Sequence, residues 1–168
     1  MSTDLAESPT LASTTPDPAA AAYLARRSVA PQWRAFVRAL VETLDEHLDQ
    51  QGRHALMRAI GARMAGSLPL GYADTLAALE GRINDALASA DWGFCTIAFD
   101  SHGHRLVLTH GAAPAVGAGS DTDGAWAGAV LEGLYATWLA AQPGADPALK
   151  PQLVRWAPGE AVLHYGAV

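Results

Sequence analysis

Residues 126–140 read WAGAVLEGLYATWLA, and this stretch decides the fold. On a helical wheel its large side chains occupy one half of the circumference, and alanine and glycine form a narrow face on the other. Glu132 and Thr137 are its polar residues. A helix that is apolar all round must be covered all round, so the sequence predicts a helix with neighbours on every side. Asp123, just before it, is the predicted N-cap.

The narrow face determines what can cover this helix. It contains Gly133 and several alanines, and the missing side chains let another backbone approach closely. The monomer itself is one possible cover. A second subunit is the other, and it is favoured because the remaining elements cover only one or two sides. The residues predicted to form this subunit interface are Trp126, Ala129, Glu132, Gly133 and Ala136.

The segments around this helix predict an α+β fold. Apolar residues recur at helical spacing in three stretches between residues 31 and 91, which predicts three N-terminal helices. The first begins at Pro31, has Trp33 and Phe36 on its apolar arc and ends near Gly52. Residues 94–109 and 152–165 each contain two short β-rich runs separated by turn residues, and each predicts a β-hairpin. The predicted order is therefore three helices, a β-hairpin, the long apolar helix and a second β-hairpin, with a small antiparallel sheet packed on the helices.

The first thirty residues differ in composition from the rest. They are rich in Ser, Thr, Pro and Ala, which predicts a flexible tail over residues 1–30 and a single domain over residues 31–168. Asp4 and Glu7 precede any basic residue and no apolar segment follows, so no signal peptide is expected. No run of eighteen apolar residues predicts a membrane span. The expected location is the cytoplasm, with the periplasm left open.

Composition limits the chemistry. Eleven basic and seventeen acidic residues give a net charge of −6, which disfavours nucleic acid as a partner. The single Cys95 excludes an internal disulfide, and its apolar strand predicts a buried, inert thiol. His102, His104 and His110 have even spacing, but the first two lie in a predicted turn, so a solvated turn is favoured over a metal site. We expect no catalytic residues, no metal and no cofactor.

Glu132 needs a partner because it is a carboxylate on an otherwise apolar helix. An arginine from another helix or subunit is the favoured partner, and a structural ion pair is favoured over acid–base catalysis.

Several short stretches carry a resemblance to a known family. Residues 91–94 read DWGF, and residues 124–145 contain GAW, VLEGLYATW and QPGA. With these motifs the chain resembles, from about residue 31 to its C-terminus, the D subunit of bacterial cellulose synthase. Residues 63–66, RMAG, are similar as well. The first thirty residues extend beyond the family's usual start.

The resemblance implies a non-catalytic accessory subunit of cellulose synthesis and secretion. It implies a ring-like octamer of four dimers, with passages that guide and align nascent β-1,4-glucan before it crystallises. The implied partners are other components of the cellulose synthase complex and a small proline-rich protein. The segment leading into the first long helix would line the passage, with the residues Tyr23, Arg26, Arg27, Gln32 and Trp33. The alternatives are that Trp33 is the first core residue of its helix and that the two arginines are solvated.

A fainter resemblance supports an alternative. The order of hairpin, helix and hairpin is similar to that of the vinyl-reductase-like small-molecule-binding domains. In that alternative the small-residue helix would form the wall of an apolar ligand pocket.

Overall fold

The computed structural model describes residues 17–166, and this part of the chain has the predicted α+β fold. The elements in chain order are α1 (Pro18–Ser28), α2 (Pro31–His47), α3 (Gln50–Ser67), α4 (Leu76–Ser89), β1 (Phe94–Asp100), β2 (Arg105–Gly111), α5 (Trp126–Ala140), β3 (Gln152–Ala157) and β4 (Glu160–Gly166). From α2 onward the order is the predicted one. No helix in this part of the chain is both long and apolar enough to cross a membrane.

The four strands form one antiparallel sheet in the order β1-β2-β4-β3. Cys95 pairs with His110, and Ile97 pairs with Leu108, so these residues share one face. That face packs on the helices, and the alternation of buried and exposed positions along the strands follows from the period of two. The other face carries the more exposed side chains.

Helix α5 lies between the sheet and α3. Leu131, Leu134, Tyr135 and Trp138 of α5 belong to the same buried cluster as residues of α4 and the sheet. Val130 joins a second, smaller cluster with residues of α2 and α3. Within the described residues α3, α4 and the sheet cover most of α5, while Ala136 and Thr137 are half-buried and Ala140 is exposed.

Two glycines bring α3 and α5 into backbone contact. A Cβ atom on Gly61 would overlap the carbonyl oxygen of Val130 and lie 2.8 Å from the amide nitrogen of Leu134. A Cβ atom on Gly133 would overlap the carbonyl oxygen of Arg58 and lie 2.7 Å from its carbonyl carbon. The sequence favoured a second subunit as the cover of the small-residue face of α5; at Gly133 that cover is α3 of the same chain, because α3 also has a glycine at the crossing.

Helix side chains occupy both edges of the sheet. On β1, the Asn84 side chain accepts a hydrogen bond from the Cys95 amide (2.7 Å) and donates one to its carbonyl (2.9 Å). Glu80 accepts from the Ile97 amide at 2.6 Å. On β3, Glu132 accepts from the Leu153 amide at 2.8 Å. These backbone groups are therefore not open to pairing with a strand of another molecule.

Helix α1 falls within the segment predicted to be a flexible tail. Ala25 is only 1% exposed, its carbonyl accepts a hydrogen bond from Ala115 (3.4 Å), and Gly159 of the β3–β4 turn lies against Ala21. Asp17 caps the helix by accepting from the Ala19 amide at 3.0 Å. Helix α1 is thus docked on the domain through Ala21 and Ala25, whereas the sequence predicted a flexible tail in which residues 19–27 form helical turns only when docked. Residues 1–16 of the predicted tail, and residues 167–168 of the predicted domain, lie outside the described residues.

Asp121, not Asp123, holds the start of α5. The Asp121 carboxylate accepts from the amides of Ala125 (2.9 Å) and Trp126 (3.0 Å). A tight turn in which Ala118 and Asp121 bond to each other aims this side chain at the helix. The predicted N-cap Asp123 instead points to Arg26, 3.6 Å away.

Candidate functional site

The first two helices form the most distinctive surface of the protein. Each begins with a proline at its first turn, and Val29 in extended conformation joins them. Within α1, Tyr23 and Arg27 lie one turn apart. The Arg27 guanidinium donates to the Tyr23 hydroxyl at 2.8 Å and lies 5.6 Å from the centre of its ring. The two side chains therefore hold each other in one orientation.

A groove of about 600 Å³ separates α1 from the N-terminal half of α2. Its polar lining is Tyr23 together with three arginines. The residues that line the groove are Tyr23, Arg27, Val29, Pro31, Arg34, Ala35 and Arg38.

The outward side of α2 carries an exposed aromatic pair. Trp33 and Phe36 are 57% and 56% exposed, and their rings meet edge to face with centroids 5.8 Å apart. Leu40, one turn further, is 40% exposed. Gln32 is exposed beside this pair. Three large apolar side chains thus follow one line along α2 and are open to solvent.

The five residues predicted to contact glucan divide between different surroundings. Tyr23 and Arg27 line the groove, whereas Gln32 and Trp33 lie on exposed positions of α2 outside its lining. Arg26 pairs with Asp123. The structure therefore brings these residues to one end of the molecule but not to one site.

The sequence interpretation missed Arg34 and Arg38 of the groove and Phe36 of the aromatic pair. A signal for the arginines is present in the sequence, because no acidic residue occurs between Pro18 and Val41. Phe36 was assigned to the apolar arc of its helix, and only the packing shows that this part of the arc has no cover within the described residues.

Glu132 has its partner within the chain. Its carboxylate lies 3.3 Å from a guanidinium nitrogen of Arg58 on α3, and it also accepts from the Leu153 amide. Because it joins α3, α5 and β3 and is mostly buried, its role here is structural. The partner is an arginine from another helix, one of the two sources that the sequence favoured.

The other residues of the predicted subunit interface have different degrees of cover. Ala129 and Gly133 are buried under α3. Trp126 is half-buried and donates from its indole nitrogen to the Val116 carbonyl at 2.8 Å. Ala136 lines an open cleft of about 830 Å³ between α3 and α5. The interface formed by these residues stays a prediction.

The buried side chains of Cys95, His110 and Tyr135 form hydrogen bonds with each other and with the backbone. His110 is 0% exposed; one ring nitrogen lies 2.7 Å from the Trp92 carbonyl and the other 2.7 Å from the Tyr135 hydroxyl. A carbonyl only accepts, so Nε2 carries the proton and Tyr135 donates to Nδ1. Burial lowers the pKa of His110 to about 4 and raises the pKa of Cys95 to about 11. All three groups are therefore uncharged at neutral pH.

This arrangement separates His110 from His102 and His104, which are exposed in the β1–β2 turn as the sequence favoured. Asp100 organises that turn by accepting from the amides of His102 and Gly103, and the Gly103 hydrogen bond is the main cause of its lowered pKa. Residues 17–166 contain no group of three or more His, Cys, Asp or Glu side chains placed to hold a metal ion.

The fold and this surface define a class of small α+β protein. Its buried polar side chains are hydrogen-bonded within the core, and its N-terminal helices expose arginine and aromatic side chains. The family model for the D subunit of cellulose synthase matches residues 19–166. A cellulose synthase operon protein D from Komagataeibacter xylinus is 31% identical over 115 residues, covering 68% of this chain and 74% of the relative. The corresponding protein of Komagataeibacter sucrofermentans has the same identity and coverage.

The chain therefore belongs to the family of cellulose synthase D subunits, and this membership supports a role in cellulose synthesis. The match begins at Ala19 and so includes α1, whereas the sequence interpretation placed the family's start near residue 31. The alternative of a small-molecule pocket walled by α5 stays a prediction: backbone fills the α3–α5 crossing itself, but Gly133, Ala136 and Ala140 of α5 line the cleft of about 830 Å³ beside it.

Proposed function

We propose that the protein is a non-catalytic accessory subunit of cellulose synthesis and secretion. It assembles as a ring-like octamer of four dimers with other components of the cellulose synthase complex. Its N-terminal helices guide nascent β-1,4-glucan and align it for crystallisation.

The exposed pair of Trp33 and Phe36 is the observation that carries this proposal. A neutral glucan presents hydroxyl groups and apolar sugar faces, so aromatic rings are the side chains that can bind it without a charge. In this chain, which belongs to the cellulose synthase D family, the pair is exposed, and the exposed Gln32 beside it supplies an amide donor and acceptor. An open, shallow contact of this kind also lets a polymer slide.

The occupied sheet edges support assembly through helices. Asn84 and Glu80 use three backbone groups of β1, and Glu132 uses the Leu153 amide of β3, so part of each edge is unavailable to a neighbouring strand. Besides the Trp33–Phe36 pair, α1 and α2 expose the apolar side chains of Tyr23, Leu24 and Leu40. An exposed patch of large apolar residues favours association.

Binding to amorphous cellulose tests the glucan contact. We expect a Trp33→Ala/Phe36→Ala variant to bind about tenfold more weakly, which corresponds to about 1.4 kcal/mol. Binding by the parent should change little with salt because glucan is neutral. The matched control is Tyr72→Ala, which removes a 70% exposed aromatic from the α3–α4 connection. Equal losses in both variants would mean that the α2 pair is not a glucan contact.

Light scattering on a gel-filtration peak tests the assembly, and a monomer at tens of micromolar would refute it. In cells, an Arg26→Ala/Arg27→Ala variant should assemble normally, because the Arg26–Asp123 pair is exposed and such pairs contribute little stability. It should produce less cellulose or disordered fibrils. Normal cellulose from the assembled variant would remove these arginines from the passage and favour a purely scaffolding role.

A further inference from the structure

The N-terminal helices carry a positive charge that contrasts with the rest of the chain. The net charge is −6, yet Arg26, Arg27, Arg34 and Arg38 fall within thirteen residues of a stretch, Pro18 to Val41, that contains no acidic residue. Three of these arginines line the groove between α1 and α2. Positive charge is therefore concentrated on α1 and α2, and three of its four arginines line a groove.

The three groove arginines are held in place without a carboxylate. Arg34 donates to the Val29 carbonyl at 3.0 Å, Arg38 donates to the Gly117 carbonyl at 3.1 Å, and Arg27 donates to Tyr23. None of them forms an ion pair within residues 17–166, although Arg26, Arg53, Arg58, Arg105 and Arg155 do. Neutral oxygen atoms, two carbonyls and one hydroxyl, therefore orient these groups, and each guanidinium, with five N–H donors, retains donors for a ligand.

The nearest carboxylate on α2 is already in use. Glu42 lies one turn after Arg38, but it accepts from the Gly119 amide at 3.1 Å and does not line the groove. None of the groove-lining residues in the described part of the chain is acidic.

The start of α2 adds to the positive potential. Pro31 and Val29 line the groove, and no side chain caps the N-terminus of α2. The N-terminal end of a helix carries a partial positive charge from its unpaired amides. Three guanidinium groups and the first residue of α2 therefore line one groove.

We propose that this groove binds an acidic polypeptide segment of a partner protein. Carboxylates of the segment would pair with Arg27, Arg34 and Arg38, and its small apolar residues would lie on Val29, Pro31 and Ala35 between the charges. A neutral glucan leaves the three charges uncompensated and fits the exposed α2 pair better. The groove differs from the exposed α2 pair, but it includes Tyr23 and Arg27, which the proposed function assigns to the glucan passage, so competition with cellohexaose separates the two uses.

Fluorescence anisotropy with a labelled poly-glutamate peptide tests the groove in the full-length protein. A peptide of about ten residues is long enough to span it at about 3.4 Å per residue. We expect binding at about 50 mM salt that weakens strongly by about 200 mM, because the contacts are ionic. An Arg27→Gln/Arg34→Gln/Arg38→Gln variant should bind at least about tenfold more weakly, and each factor of ten is about 1.4 kcal/mol.

The matched control removes the same charge elsewhere. An Arg63→Gln/Arg82→Gln/Arg155→Gln variant alters three exposed arginines outside the groove and should bind the peptide as the parent does. Circular dichroism checks that each variant folds. If the triple groove variant unfolds, Arg27→Gln/Arg38→Gln, which changes only exposed side chains, should still weaken binding several-fold.

Several outcomes would overturn the proposal. They are equal weakening in the groove and control variants, equal binding of a poly-glutamine peptide, displacement of the peptide by cellohexaose, and preferential binding of inorganic polyphosphate. Dissociation of the protein's own assembly by the groove variant, without any peptide binding by the parent, would assign the groove to a second copy instead. A parent protein that binds the peptide but does not bind amorphous cellulose would contradict the proposed function and leave this inference intact.

Discussion

Replacing Gly133 with alanine is expected to push α3 away from α5 and destabilise the protein. The new methyl group would lie 2.7 Å from the carbonyl carbon of Arg58 and closer still to its oxygen. Carbon atoms in contact sit about 3.5–4.0 Å apart, so the helices must separate locally by on the order of 1 Å. The Arg58 atoms belong to the backbone and the new methyl group is a Cβ, so no side-chain rotation relieves the clash.

The net loss can be worked from two opposing effects. Overpacking costs about 1–3 kcal/mol, and the upper part of that range applies because backbone must move. Alanine in a helix interior recovers about 0.5–1 kcal/mol relative to glycine. The expected net loss is about 2 kcal/mol, which in a chain of this length lowers the melting temperature by about 4–8 °C.

Thermal unfolding followed by circular dichroism measures this loss. All variants must be compared at one protein concentration, because assembly makes the melting temperature concentration-dependent. Gly81→Ala on α4 is the matched control: no atom lies within 4 Å of the position that its new Cβ would take, so alanine should stabilise it slightly. Gly61→Ala should resemble Gly133→Ala, and the double variant should lose less than the sum, since one separation relieves both clashes.

A Gly133→Ala variant as stable as Gly81→Ala would refute the reasoning. A variant that keeps its melting temperature but loses its assembly would show that Gly133 contacts a second subunit rather than α3.

Three further predictions concern other parts of the molecule. Asn84→Ala should cost about 1–3 kcal/mol in urea unfolding, because it leaves the Cys95 amide and carbonyl without partners; an unchanged midpoint would mean that water replaces the side chain. The buried His110, with its pKa lowered to about 4 from an ordinary 6.5, binds a proton less readily in the folded state. Stability from this group is therefore complete above about pH 6.5 and is lost as pH falls towards 4, at up to about 1.4 kcal/mol per pH unit. His110→Gln should remove that part of the pH dependence, and parallel pH profiles of parent and variant would contradict it. Finally, Ala25→Asp places a charge at a position 1% exposed and should undock α1, so that trypsin cleaves faster at Arg26 with little change in global melting; unchanged cleavage would mean that α1 stays docked.

Local patterns accounted for most of the fold. The hairpins, α4 and α5 follow from the change of hydrophobic period from 3.6 to 2, which is a property of neighbouring residues. The first long helix was expected to end near Gly52, but α2 ends at His47 and Asp49 caps α3. Propensity alone did not detect this break, because the apolar pattern continues through it.

The candidate site was less accessible from the sequence. The N-terminal helices were identified as the relevant region by resemblance, and the arginine-rich composition of residues 26–38 was visible. Which side chains share a groove depends on the angle between α1 and α2, and long-range packing sets that angle. Arg34 and Arg38 therefore joined Tyr23 and Arg27 only in three dimensions.

By itself, the sequence determined the α+β class, the order of elements from α2 onward and the need to cover α5 on every side, because these depend on periodicity and composition. Only the tertiary structure decided what provides that cover. Gly61 and Gly133 are far apart in the chain, and neither reveals from its own neighbours that it faces the other helix. The same holds for α1: its composition indicates weak intrinsic order, and its docking depends on the distant Ala115 and Gly159.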